Sequence, residues 1–137
     1  KSSKGVLPII SDMPKDNHSL MQLYLDGNKN CFFTFFDVID ANSPKIKNKI
    51  LDNFKYLRGH SLQSIKLAQK QATQIVFKEK KIPFRSFEIL KRNEETLGEL
   101  FTFFMLETIL LGKMMKINPF DQPAVELIKK ETKKILV

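Results

Sequence analysis

The side chains able to do chemistry are few and far apart. No histidine, cysteine and carboxylate cluster has metal-ligand spacing, and neither a phosphate-cradling glycine loop nor a nucleophile elbow is present. That leaves acid–base and electrostatic chemistry. The two histidines are His18 and His60, and imidazole is the side chain best matched to proton transfer near neutral pH. His18 stands where a polar loop gives way to an apolar run, at the expected start of a helix, where it can reach solvent or substrate. A lone histidine at such a junction also reads as structural, and His60, after Gly59, reads as a surface residue. Near the other end, Asn118-Pro119-Phe120-Asp121-Gln122-Pro123 is a turn stiffened by two prolines. Asp121 is the expected N-cap of the helix that follows. Glu126 and Lys129 then lie three apart on one side of it, and the turn is expected to present Gln122 and Lys129 together. The plain reading of the same residues is a capped C-terminal helix carrying a solvated lysine.

The elements that must position these groups alternate. Val6–Ile10 is a short apolar run bounded by glycine and polar residues and predicts a strand, with Pro8 at its beginning or on a sheet edge. His18 to Leu25 predicts a short, mostly buried helix ending at Asp26-Gly27. Phe32 to Ile39 is apolar on both alternating faces, as a central strand covered on both sides would be. Ile46, Ile50, Leu51, Phe54 and Leu57 have helical spacing, with Gly59 as the stop. A further helix is expected from Ser61 to about Lys80, with Gln63, Lys66, Lys70 and Gln74 on its surface side. Phe84 to Leu90 alternates as a strand, in the position of a crossover unit. Thr96-Leu97-Gly98-Glu99 reads as a capping box before a helix so apolar that it must be covered, by the core or by a subunit interface. This order predicts an α/β fold, layered, with a mostly parallel sheet flanked by helices. Three strands make a small sheet, and the chain opens just ahead of the first, so it is expected to be the C-terminal part of a larger fold.

A length of 137 residues suits a single domain, one able to bury roughly two-thirds of its unfolded surface. The net charge of +8 invites a nucleic-acid or membrane reading. The charge is almost all lysine, however, spread along the chain, with only Arg58, Arg85 and Arg92 suited to planar phosphate or base recognition. Neither nucleic acid nor membrane is therefore expected as a partner, although the charge would steer a small anionic ligand. Cys31 stands alone and opens an apolar run, which predicts a reduced, buried thiol and a cytoplasmic protein. No secretory pattern opens the chain, and its longest apolar stretch is too short and interrupted to span a bilayer.

Two stretches carry a resemblance. Gly112, Met114, Met115, Phe120, Asp121, Gln122, Ala124, Val125, Glu126 and Lys129 follow the C-terminal signature of glucose-6-phosphate isomerases, with Ala124 where glycine is more usual. Asp16-Asn17-His18-Ser19, with Gln22-Leu23-Tyr24, resembles the Asp-Gln-His-Ser stretch of bacterial and archaeal members, with Asn17 where glutamine is usual. The resemblance implies the C-terminal part of the second sugar-isomerase domain plus the C-terminal helix, over residues 1–137. It implies interconversion of glucose 6-phosphate and fructose 6-phosphate without metal or organic cofactor, by ring opening and then proton transfer through an enediol. It gives His18 a part in ring opening, within the neighbouring active site of a homodimer. It sets Lys129 at the same end of the substrate and Gln122 at the phosphate end. A cationic lysine there can stabilise charge developing on oxygen without moving the proton between carbons.

The resemblance places the carboxylate base, and most of the phosphate-holding serine and threonine groups, upstream of Lys1, so the segment alone is expected to be inactive. Glu94, Glu95, Glu99, Glu107 and Glu126 each have an ordinary helical or capping role instead. The competing reading is a non-catalytic sugar-phosphate-binding regulatory module of the same fold.

Overall fold

The computed structural model of the chain describes residues 7–39, 42–47 and 51–137. Its elements are α1 (Lys15–Ser19), α2 (Met21–Asp26), β1 (Phe33–Val38), a 3-10 turn (Asp52–Leu57), α3 (Leu62–Glu79), β2 (Phe84–Ile89), α4 (Glu94–Met114) and α5 (Pro123–Leu136). Contacts group them into two compact units, one of Pro8–Thr96 and one built on Leu97–Val137.

In the first unit β1 and β2 run parallel, in a register that sets Phe33 beside Phe84 and Asp37 beside Glu88. The connection passes through α3, as the crossover reading requires. Period-two alternation puts Phe33, Phe35 and Phe84 on one sheet face, where they meet Phe77 of α3. Ring centroids lie 4.8 Å (Phe33–Phe77), 5.7 Å (Phe35–Phe77) and 6.1 Å (Phe77–Phe84) apart. Phe77, 1% exposed, is the centre of this core, and Ile82 closes its edge. Ser61 starts α3 by accepting a hydrogen bond from the Ser64 N–H at 3.0 Å.

Both long helices of the chain end alike. At the end of α3, Ile82 N–H donates to Phe77 O (2.8 Å) and Lys81 N–H to Lys78 O (3.1 Å), with Lys81 at φ 57°. At the end of α4, Ile117 N–H donates to Gly112 O (2.8 Å) and Lys116 N–H to Lys113 O (3.0 Å), with Lys116 at φ 55°. These are Schellman motifs, with lysine where glycine is usual. Gly112 has its own reason to lack a side chain, because an added Cβ would stand 2.9 Å from Pro119 Cβ.

Several expectations are corrected. Residues 7–10 form no strand, and Leu7, Ile9 and Ile10 are exposed; Val6 lies outside the described residues. β1 is not central among the described residues, since it pairs with β2 alone, and Phe36 on its second face is 52% exposed. The short helix of residues 18–25 begins earlier, at Lys15, and is split in two at Leu20, whose backbone N–H still bonds Asp16 O. Among the described residues of the range 46–57, helical spacing yields only the 3-10 turn, and at its start Lys45 instead bridges Ser61 while Ile46 N–H bonds His60 O. Ile50 lies outside the described residues. Gly59 does end this segment, at φ 81°, a conformation that suits glycine.

The capping box at Thr96 is replaced by an earlier cap. Asn93 Oδ1 accepts from Thr96 N–H at 3.0 Å, and α4 begins at Glu94. No described residue of α4 is buried, so the cover its apolar surface calls for is not supplied by the described residues. Cys31 is exposed, not buried.

Candidate functional site

The helical turn Lys15–Ser19 places His18 as its fourth residue, exposed, while neighbouring Asn17 turns inward and its buried Oδ1 has no hydrogen-bond partner. Asp16 fixes this turn. Its Oδ2 accepts from Asp12 N–H at 2.6 Å, and its backbone oxygen accepts from Leu20 N–H at 2.8 Å. α2 is tied down in turn: Tyr24 packs edge-on against Phe33 with centroids 5.1 Å apart, and its hydroxyl meets Ser11 Oγ. Asp26 accepts from Lys80, at the end of α3, at 2.6 Å and from Gln22 at 2.6 Å. The hydrogen bond and charge of Lys80 hold the Asp26 carboxyl below the usual carboxylate range, outweighing slight desolvation, with Gln22 and Lys29 helping. The platform under His18 is thus anchored to β1 by an aromatic contact and to α3 by an exposed ion pair.

In the other unit, Phe120 N–H donates to Asn118 Oδ1 at 3.0 Å, closing the proline-bounded turn. Pro123 is the first residue of α5, as expected, but the N-cap is Gln122 and not Asp121. The Gln122 side chain makes no capping bond; its backbone oxygen accepts from Val125 N–H at 2.9 Å. Lys129 follows seven residues later, inside α5, whereas Gln122 stands at its cap with non-helical backbone angles, φ −131° and ψ 64°. Lys129 Nζ lies 2.6 Å from Glu126 Oε1, an exposed pair that orients the ammonium more than it stabilises the helix. Gln122 and Lys129 are both exposed. The structure therefore puts Glu126 and Lys129 on one helix with Gln122 at its cap, and His18 on a helix of the other unit.

One charged cluster escapes sequence reasoning. Lys70, expected on the surface of α3, has a side chain only 11% exposed, with Nζ 3.1 Å from Asp37 Oδ2 and 3.2 Å from Glu88 Oε1. Asp37 is 6% exposed. Burial disfavours the Lys70 charge, but the hydrogen bonds and charges of Asp37 and Glu88 outweigh it and raise the ammonium above its ordinary value. The ion bridge spans adjacent strands and locks their register to α3. The one available signal was a carboxylate inside the apolar run Phe32–Ile39.

Among the described residues no group of three or more histidine, cysteine or carboxylate side chains could hold a metal ion, and no helix is long and apolar enough to cross a membrane.

A parallel strand pair with a crossover helix, flanked by further helices, puts the chain in the α/β class expected of it. Its relatives name the family anticipated from the motifs. The chain is 38% identical to the glucose-6-phosphate isomerase of Mycoplasmopsis pulmonis, over 99% of this chain and 33% of that protein. It is 34% identical to the probable glucose-6-phosphate isomerase of Methanococcus maripaludis (95% of this chain, 29% of that one). The glucose-6-phosphate isomerase of Leptospira biflexa gives 34% over 92% of this chain and 29% of its own. The chain is thus related to these isomerases along nearly all its length and spans about a third of theirs or less. A crystal structure of a hypothetical protein from Thermus thermophilus superposes with a TM-score of 0.79 at 28% identity, over 91% of this chain and 31% of that one. No family model matches the chain.

Proposed function

We propose that this chain is the C-terminal part of the second sugar-isomerase domain, with the C-terminal helix, of an enzyme that interconverts glucose 6-phosphate and fructose 6-phosphate. The observation that carries the reading is 38% identity over 99% of the chain to a glucose-6-phosphate isomerase. The motifs around His18 and Lys129 lie inside that match.

In this reading His18 moves the proton that opens the sugar ring. Its exposure on a braced helical turn suits a group that acts outside its own unit, in the active site of a partner subunit of a cytoplasmic homodimer. The Lys129 ammonium, oriented by Glu126, stabilises the oxygen on which negative charge develops. Gln122, at the cap of the same helix, holds the phosphate end. A carboxylate from outside this chain takes the proton from the carbon beside the carbonyl and returns it to the neighbouring carbon, through an enediol, so no redox partner is needed.

A coupled assay for fructose 6-phosphate conversion, on the full parent polypeptide and on the 137-residue chain at equal molarity, tests the reading. Activity in the parent alone supports it. Activity in the short chain would overturn the claim that the base lies outside it, and a folded but silent parent would favour a non-catalytic sugar-phosphate-binding module.

A further inference from the structure

The carboxyl ends of parallel strands are where open α/β sheets receive ligands, and this sheet has a pocket there. It measures about 240 Å³ and is lined chiefly by Val38, Ser43, Pro44, Gln63, Lys66 and Arg92. Val38 ends β1, Arg92 follows β2 by three residues, and Gln63 and Lys66 belong to the first turns of α3. None of these residues has a part in the isomerisation described above.

The polar groups on its wall are donors. The ion pairs of this unit use Lys55, Lys70 and Lys80, leaving Lys66 and Arg92 without a carboxylate among the described residues. Ser43 Oγ accepts from Gln63 N–H at 2.8 Å, which leaves its own proton to donate. The side-chain amide nitrogen of Gln63 is buried with no acceptor, a costly arrangement unless one arrives. The pocket also sits at the positive end of an 18-residue helix. The backbone N–H groups there are already taken: Leu62 donates to Pro44 O, Gln63 to Ser43 Oγ and Ser64 to Ser61 Oγ. A ligand would therefore be gripped by side chains and not by the helix backbone.

We propose that this pocket binds the phosphate group of a small phosphorylated molecule, with Arg92 as the planar fork, Lys66 as the point charge, and Ser43 and Gln63 as neutral donors. Donors of this kind, with no facing carboxylate among the described residues, match a tetrahedral oxyanion. None of its lining residues belongs to the Gln122 and Lys129 segment, and its test needs no catalytic activity, so it stands or falls apart from the isomerase reading.

The experiment is an amide-resolved NMR titration of the full parent polypeptide with inorganic phosphate and, separately, glycerol phosphate, at ionic strength held constant with chloride. Saturable shifts centred on Ser43, Gln63, Lys66 and Arg92 are expected. Tighter binding of glycerol phosphate would identify a phosphate ester as the ligand, and equal binding would identify free phosphate. Arg92→Gln and the charge-neutral Gln63→Leu should each weaken binding, Arg92→Gln by about tenfold. The double variant Lys133→Gln with Lys134→Gln removes charge from α5 and should leave binding unchanged. Unsaturable shifts spread over the lysine surface, or equal weakening by the α5 variant, would overturn the proposal.

Discussion

Lys81 and Lys116 occupy equivalent places in two different helix ends, each in the left-handed conformation just past the cap of a long helix. A Cβ in that conformation costs roughly 1–2 kcal/mol, and glycine avoids it. Lys81→Gly and Lys116→Gly should each stabilise the fold, by about 1 kcal/mol after the extra unfolded-state entropy of glycine. Urea unfolding checks this: a midpoint that stays or falls in both variants would contradict the motif.

The Lys70 bridge should be worth more when broken than when replaced. Lys70→Met leaves Asp37 buried without its counter-charge, a loss of about 3–5 kcal/mol. Lys70→Met combined with Asp37→Leu should recover most of that. Because the two carboxylates raise the Lys70 ammonium, its contribution is complete below the ordinary lysine value. It is lost as pH climbs through the raised value, so the wild-type advantage over the double variant should shrink only at strongly alkaline pH. Thermal unfolding across that range measures it.

Asp26 runs the other way. Lys80 lowers its carboxyl from 3.8, so its contribution is present above that value and is lost as pH falls through the lowered one. Asp26→Asn should flatten the acid limb of the unfolding curve while leaving the neutral plateau nearly intact, as suits an exposed pair. An unchanged acid limb would mean that Lys80 does not hold α2 in solution.

Subunit mixing separates the roles proposed for His18 and Lys129. Parent enzyme carrying His18→Ala and parent enzyme carrying Lys129→Ala should each be nearly inactive. If His18 serves its neighbour's site, a mixed dimer has one site with both residues intact, so equimolar mixing after dissociation should restore roughly a quarter of wild-type activity. No recovery would place His18 in the site of its own subunit.

Much of this was legible in the residues themselves. The phenylalanine alternation gave β1 and β2, and Ser61 and Pro123 gave the starts of α3 and α5. The spacing of Glu126 and Lys129 set both on one side of α5. What escaped depends on tertiary partners. Asp37 looked incidental within an apolar run until Lys70 and Glu88 closed around it. Asn93 won the cap from Thr96 by accepting that residue's own N–H. Ile46 kept helical spacing yet bonded to His60. The lysine-ended helices left a faint trace, Lys81-Ile82-Pro83 and Lys116-Ile117-Asn118-Pro119, in which proline follows soon after the cap. For the site, spacing alone offered a surface lysine, and the family resemblance supplied the role proposed for it.

Two strands make a sheet with as many edges as strands. Neither β1 nor β2 meets a third strand among the described residues, and Phe36 of β1, like Phe32 just before it, is exposed. Edges of this kind recruit other chains. Handling the isolated polypeptide should accordingly be a contest between its lysine surface, which keeps molecules apart, and its strand edges, which invite them together. Added salt, by screening the first and sparing the second, should tip it toward precipitation.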